Sequence, residues 1–358
     1  MRILALALVA VAAVSCGDVY EGRSGSVFEA RVTRVLATER QTTPGGPQLV
    51  QRVEIELEGS LYRGERIEVG WGGRIPINEN GLLRPGDRVL VSASRADDGS
   101  RQYAIVEVIR LPALVPLAAI ALLALVAVAR VKGLASVVGL AASVAVLLLA
   151  VVPALRRGDD PLVATLVGSA LVLAATVYLV HGLNRKSTAA LVGTAAGLAA
   201  VAALTAASLS LARITGFADE EAVFLAVGTG HAIDMTKLVL AGLVVASLGA
   251  LTDMAVGQAS TTFELASVDR SLRGRALYSS ALNVGRDHVG SLVNTLALAY
   301  VGGALPLVLL LTLGYAPLAV ALNGETIVTS LLGILAATCA LVLTVPVTTA
   351  AAVALVRR

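Results

Sequence analysis

Two hydrophobic rhythms divide this chain. Between residues 17 and 110, apolar and polar positions alternate: Val53, Ile55 and Leu57 are separated by Glu54 and Glu56, and Ile67, Val69 and Trp71 repeat the spacing. Val89, Val91 and Ala93, then Tyr103 and Ile105, and an earlier stretch from Phe28 to Val35 bring the number of period-two segments to five, the pattern of half-buried strands. Turn residues separate them at Pro44-Gly45-Gly46-Pro47, Asn80-Gly81, Pro85-Gly86-Asp87 and Asp98-Gly99. The pattern predicts a small β-barrel-like domain of OB or SH3-like type over 17–110. Nucleic-acid binding by such a fold needs exposed aromatics and a basic groove. This segment has few aromatics and mixed charge, so the expectation is a spacer or a docking domain for an envelope or secretion partner.

From Leu111 the alternation stops and long apolar runs take over. About 20 apolar residues cross a bilayer as a helix, and seven runs fit: 112–130, 134–153, 161–182, 188–211, 235–257, 288–313 and 327–355. The expected fold is therefore an all-α polytopic membrane bundle of about seven transmembrane helices over 111–358, preceded by the β domain. Basic residues alternate between the connecting loops. Arg130 with Lys132, Arg185 with Lys186, Arg270 with Arg273 and Arg275, and the terminal Arg357-Arg358 fall on one side. Loops on the other side offset Arg156-Arg157 with Asp159-Asp160 and Arg213 with Asp219, Glu220 and Glu221, and the last holds only Glu325. The positive-inside rule then places residues 17–110 outside the cytoplasm and the C-terminus inside. The expected location is the bacterial cytoplasmic membrane.

Composition agrees with a membrane chain. Apolar residues make up 56% and charged residues 15%, against about 45–50% and about 25% in soluble proteins. A net charge of +3 gives no reason to expect a nucleic-acid partner. The two cysteines, Cys16 and Cys339, exclude a disulfide framework or a cysteine metal cluster. Residues 1–16 carry an early basic residue, a short apolar run and small residues leading into Cys16, as a signal peptide or signal anchor does. Cys16 is a lipidation candidate if the segment is processed as in a lipoprotein, and incidental if it is an uncleaved anchor.

The candidate chemistry lies in the fifth and sixth runs. Gly249, Asp253, Gly257, Ser260 and Glu264 share one helical face, and Asn283, Asp287, Gly290 and Asn294 share another. Two such stripes on consecutive antiparallel helices predict a polar seam with Asp253 deepest and Arg286 as a counter-charge. The competing reading is that the acids sit at the membrane–water interface and the Asn and Gly residues serve helix packing. A second cluster, His231, Asp234 and Lys237, marks the outer end of the fifth run. His231 and Asp234 supply two ligands where a metal site needs three or four, so no metal is expected. An Asp234–Lys237 ion pair or a proton relay fits better. Gly193 to Gly197 is a small-xxx-small pattern for close packing of the fourth run. No phosphate loop, nucleophile elbow or zinc-protease motif occurs, so neither an enzyme nor a cofactor is expected.

The block Gly249-Ala-Leu-Thr-Asp253-Met-Ala, Glu264, Asn283-Val-Gly-Arg-Asp287, and Gly290 through Asn294 to Tyr300-Val-Gly-Gly-Ala-Leu-Pro306 resembles the YibE/F-like family of bacterial multipass membrane proteins. The likeness extends loosely through Glu325 and the last run. Thr252 stands where the pattern leads one to expect an apolar residue, and Cys16 is not a family feature. The resemblance implies the same overall plan and carries no assigned activity. Asp253, Asn283, Asp287 and Asn294 coincide with the polar stripes. Two functional expectations follow: a permease for a small solute or ion with an intramembrane polar site, or a non-transporting anchor or scaffold whose β domain docks a partner. Homo-oligomerisation is compatible with either.

Overall fold

The structure is a computed structural model, described for residues 20–22, 25–43, 46–58, 63–95, 100–314 and 317–356. The signal segment and Cys16 lie outside the described residues. The chain divides into two compact units, residues 1–127 and 128–358.

The first unit holds an antiparallel sheet of β1 (Tyr20–Gly22), β2 (Gly25–Thr43), β3 (Gly46–Leu57), β4 (Arg66–Ile77), β5 (Arg88–Arg95) and β6 (Arg101–Val108). The order is β4-β3-β2-β5-β6, with β1 paired to β2. The outer strands β4 and β6 approach each other, so the sheet curls. The period-two positions form its core: Phe28, Ala30, Val32, Val53, Ile55, Leu57, Val69, Trp71, Val89 and Val91 are all buried. Register shifts near Val32–Arg34 and Val35–Ala37 mark bulges in β2, the irregularity that lets a strand bend around a curled sheet. Beyond them β2 and β3 run on as an arm from the Ala37–Arg52 pair to the Thr43–Gly46 pair, flanked by β4 as far as Leu49 and two-stranded only from Gln41–Gln48 to its tip.

Two polar side chains close the core. Gln51, 3% exposed, accepts from Leu83 N–H at 2.7 Å and donates to the Leu83 carbonyl at 3.3 Å. The Trp71 indole N–H donates to the Gly81 carbonyl at 2.8 Å. Both hold the connection after β4 against the sheet. A buried polar group that loses its partner costs about 1–3 kcal/mol. Gln51→Leu, which strands both Leu83 groups, is expected to destabilise this unit by that amount and so lower its denaturation midpoint. Fluorescence of Trp71, the chain's one tryptophan, reports it, and an unchanged midpoint would contradict the assignment.

The remaining elements are helical: α1 (Leu111–Val146), a π turn (Leu147–Val151), α2 (Val152–Arg156), α3 (Pro161–His181), α4 (Arg185–Leu211), α5 (Glu220–Gly228), α6 (Met235–Val268), α7 (Gly274–Gly303), α8 (Leu305–Thr312), α9 (Leu318–Leu322) and α10 (Glu325–Leu355). Among the described residues, five helical stretches are long and apolar enough to cross a membrane: Leu111–Arg156, α3, α4, α6 and α10. The pair α7 and α8, bent by 71° at its junction, makes six if taken as one span. The count differs from the expected seven because residues 111–156 are counted as one stretch of 46 residues. Arg130 interrupts the stretch with non-helical dihedrals, φ 51° and ψ −128°.

Within the second unit α4, α6 and α10 pack on one another, α7 packs on α10 and α6, and α3 packs on α6 and α4. The close approaches are made by small residues. A Cβ added at Gly193 would come within 2.8 Å of Thr348 Cβ, and one at Gly197 would meet Leu251 at 3.0 Å and the Thr344 hydroxyl. The small-xxx-small pattern of α4 is therefore where α10 and α6 are received. Overpacking a tight interior costs about 1–3 kcal/mol. Gly193→Val is expected to lower the thermal midpoint of the purified full chain, whereas Gly249→Ala, whose Cβ would meet nothing within 4 Å, leaves it unchanged. Equal effects would contradict this packing.

Candidate functional site

α6 is built with one packed face and one open face. Leu240, Val244, Ser247, Leu248, Leu251, Met254, Ala255, Gln258 and Thr262 are buried, at the three- and four-residue spacing of a single helical stripe. Asp253 and Glu264 lie exposed on the opposite side, with Gly249 between turns of the same strip. On α7 the buried positions are Leu277, Ala281 and Gly285. Asn283, Arg286, Asp287 and Asn294 are all exposed.

The two polar stripes therefore do not face each other. The contact between α6 and α7 is made by Gln258, which was not among the expected site residues. Its amide donates to the Ala281 carbonyl at 2.9 Å and to Thr349 Oγ1 of α10 at 2.7 Å. Its own carbonyl oxygen lies where a Cβ at Gly285 would come within 2.6 Å. One side chain thus ties three helices together. The physical reason is competition for the interior: α6 buries its larger apolar stripe against α4 and α10, and that turns Asp253 outward. Gln258 and Gly285 carry a readable signal, because Gln258 falls on the apolar stripe of its helix.

Arg286 does not act as a counter-charge to an acid; it donates to the Asn283 side-chain oxygen one turn earlier at 3.1 Å. Asp253 and Asp287 have no hydrogen bond or ion pair among the described residues. Two histidines supply the electrical surroundings of Asp253: His288 on α7 and His181 at the end of α3 lie within electrostatic range. The three groups belong to three different helices, α6, α7 and α3. Sequence reasoning missed both histidines, since 72 and 35 residues (253 − 181 and 288 − 253) separate them from Asp253 along the chain. Thr252, the departure from the family pattern, is satisfied locally by donating to the Leu248 carbonyl at 2.7 Å.

The outer cluster is a set of caps. Asp234 accepts from the Lys237 backbone N–H at 3.1 Å and so caps α6. The Lys237 ammonium reaches a different acid, Asp160, so the expected Asp234–Lys237 pair is replaced by a bond between the starts of α3 and α6. Asp160 uses its other oxygen to cap α3 at Leu162 and Val163. The Lys237 hydrogen bond holds its carboxyl below the usual aspartate range. His231 stands apart in a left-handed turn, φ 60°. Nearby, Glu325 at the head of α10 accepts from Thr215 N–H, Thr215 Oγ1 and Gly216 N–H at 3.0, 2.8 and 2.6 Å. No group of three or more potential metal-binding side chains occurs among the described residues.

Residues 117–358 match the model of the family described as YibE/F-like protein. The chain belongs to the YibE/F-like family. The matched region includes Asp253, both histidines and the Gln258 junction, and begins after the β sheet. No curated protein and no solved structure matches the chain. With its apolar helices, this YibE/F-like chain is a multipass membrane protein.

Packing and open-face residues of the YibE/F-like bundle separate by mutation. Gln258→Leu removes the bonds from α6 to Ala281 and Thr349, while the Thr349 hydroxyl keeps its bond to the Val345 carbonyl, and is expected to cost about 0.5–1.5 kcal/mol per bond lost. Asp253→Asn removes a charge that has no partner to lose and is expected to leave the unfolding temperature unchanged or slightly raised. Thermal unfolding of both variants in one detergent checks the pair, and the reverse order would contradict the assignment.

Proposed function

We propose that this YibE/F-like protein is a permease for a small solute or ion in the bacterial cytoplasmic membrane, with Asp253 as its intramembrane polar site. The observation that carries this reading is the carboxylate of Asp253, unpaired on the open face of α6 and within range of His181 and His288. An ionisable side chain at membrane depth costs at least about 2.5 kcal/mol on insertion scales, so such groups face water or a protein cavity. The strip around Asp253 is poor in side chains: a Cβ at Gly242, Gly249 or Gly257 would meet nothing within 4 Å. That leaves room for water or solute beside three titratable groups from three helices. Asp253 is the group that binds and releases a proton or cation, the histidines modulate its charge, and Asn283, Asp287 and Asn294 continue the polar surface along α7.

The topology that goes with this reading has seven crossings, with the Leu111–Arg156 stretch divided at Arg130. Residues 17–110 are extracytoplasmic and the C-terminus is cytoplasmic, as the loop charges favour. The strand order, with β4 and β6 approaching, supports an OB-like barrel. The protein is not an enzyme on this reading. A second reading, a scaffold that docks an envelope partner, draws on the β2–β3 arm, where Thr38 to Thr42 are exposed.

Everted vesicles carrying an acid-interior pH gradient test the permease. At least one member of a panel of inorganic cations, amino acids and organic acids is expected to dissipate the gradient with the native chain. Asp253→Asn should abolish that response and Glu264→Gln should keep it. A response unchanged in Asp253→Asn, or no response across the panel, contradicts the proposal.

A further inference from the structure

A separate feature of the second unit lies at the C-terminal end of α3. Beyond Arg130, α1 touches the C-terminal half of α3 at Gly139 and Ser143: the hydroxyls of Ser143 and Thr176 are 3.0 Å apart, and a Cβ at Gly139 would come within 3.2 Å of Val180. His181 is the last residue of α3. Gly182, in a left-handed conformation with φ 79°, ends α3, and Asn184 caps α4 by accepting from Ser187 N–H at 2.9 Å. The tight connection returns Lys186 to the same place. Lys132 and Lys186, from two different elements, are both within electrostatic range of His181. Among the described residues, no carboxylate forms an ion pair with either lysine. Asp253 is the acid within range of His181.

An apolar groove of about 300 Å³ opens next to this cluster, lined by Val131, Leu134, Ala135, Val138 and Leu179. Val131 and Leu179 line the same groove, so the segment that carries Lys132 and the end of α3 that carries His181 meet there. A hydrocarbon-lined groove ending in unpaired cations at a helix terminus has the chemistry of one kind of ligand.

We propose that this is a binding site for an anionic phospholipid, with an acyl chain along Val131, Leu134, Val138 and Leu179 and the phosphate held by Lys132 and Lys186 beside His181. Charge complementarity selects the occupant. Basic pockets between transmembrane helices hold anionic headgroups, and an ammonium binds phosphate as a compact point charge. A zwitterionic lipid fills the groove equally well but brings its own ammonium to the lysines, so it gains little from them. The two lysines take no part in the proposed permease site, and His181 borders both.

Native mass spectrometry of the full chain, equilibrated in detergent with equal amounts of phosphatidylglycerol and phosphatidylcholine, tests this. The native chain is expected to retain phosphatidylglycerol in preference, and the ratio should fall by about fivefold for each lysine removed in Lys132→Gln and Lys186→Gln. Lys132→Arg with Lys186→Arg should keep it. So should Arg270→Gln with Arg273→Gln, which removes as much charge from the α6–α7 turn. A ratio unchanged by the glutamine variants overturns the site. An equal loss in the arginine control also overturns it, because it would mean general surface attraction. Thermal unfolding of each variant confirms that folded chains are compared, and each single lysine variant stands on its own if the double one does not fold.

Discussion

Backbone-to-backbone proximity of α4, α6 and α10 governs the rest of the helical unit. In a bilayer the lipid tails are as apolar as leucine, so helices associate through packing and interhelical hydrogen bonds rather than by escaping water. Gly193 and Gly197 let α4 come close to Thr348, Thr344 and Leu251, and Gln258 then reaches both α7 and α10 from a fully packed position. Once the apolar stripe of α6 is committed to this contact, the rotation of the helix is fixed. Asp253 must point the other way.

That consequence shapes the functional reading. An acid turned away from the packed core has three physical fates: contact with lipid, contact with another protein surface, or contact with water. The first is costly. The open glycines on either side of Asp253, and the histidines contributed by α3 and α7, favour a hydrated polar surface. The proposed lipid site sits at the C-terminal end of the same α3, where Lys132 and Lys186 lie within electrostatic range of His181. A bound phosphate there and a charged Asp253 would both present negative charge to the same imidazole.

Much of this was legible in the sequence because simple periodicities carry it. Alternation at Val53-Ile55-Leu57 and Val89-Val91 found the strands that form the β core, and runs of apolar residues found the helices. The polar stripes were correctly placed on single faces of α6 and α7, but the direction of those faces was not legible. A stripe of Asp, Gly and Asn looks the same whether it faces a neighbour or turns outward. The choice depends on how α10 competes for α6, which is a contact between segments 91 residues apart at Gln258–Thr349. The histidines were missed for the same reason, as was Asp160, which Lys237 reaches across 77 residues although Asp234 is nearer in sequence. Arg130, read as the end of one span and the start of a loop, is where non-helical dihedrals break the stretch.

The central claim is that Asp253 faces water within the membrane. Thiol accessibility tests it most directly: Asp253→Cys and, as a lipid-facing control, Leu298→Cys, 70% exposed on α7, each in a background of Cys16→Ser and Cys339→Ala. A membrane-impermeant maleimide is applied from each side of sealed vesicles. The account predicts labelling at position 253 from at least one side and none at 298. A folded Asp253→Cys protein that resists the reagent from both sides would mean a dry face covered by protein or lipid, and would contradict the account.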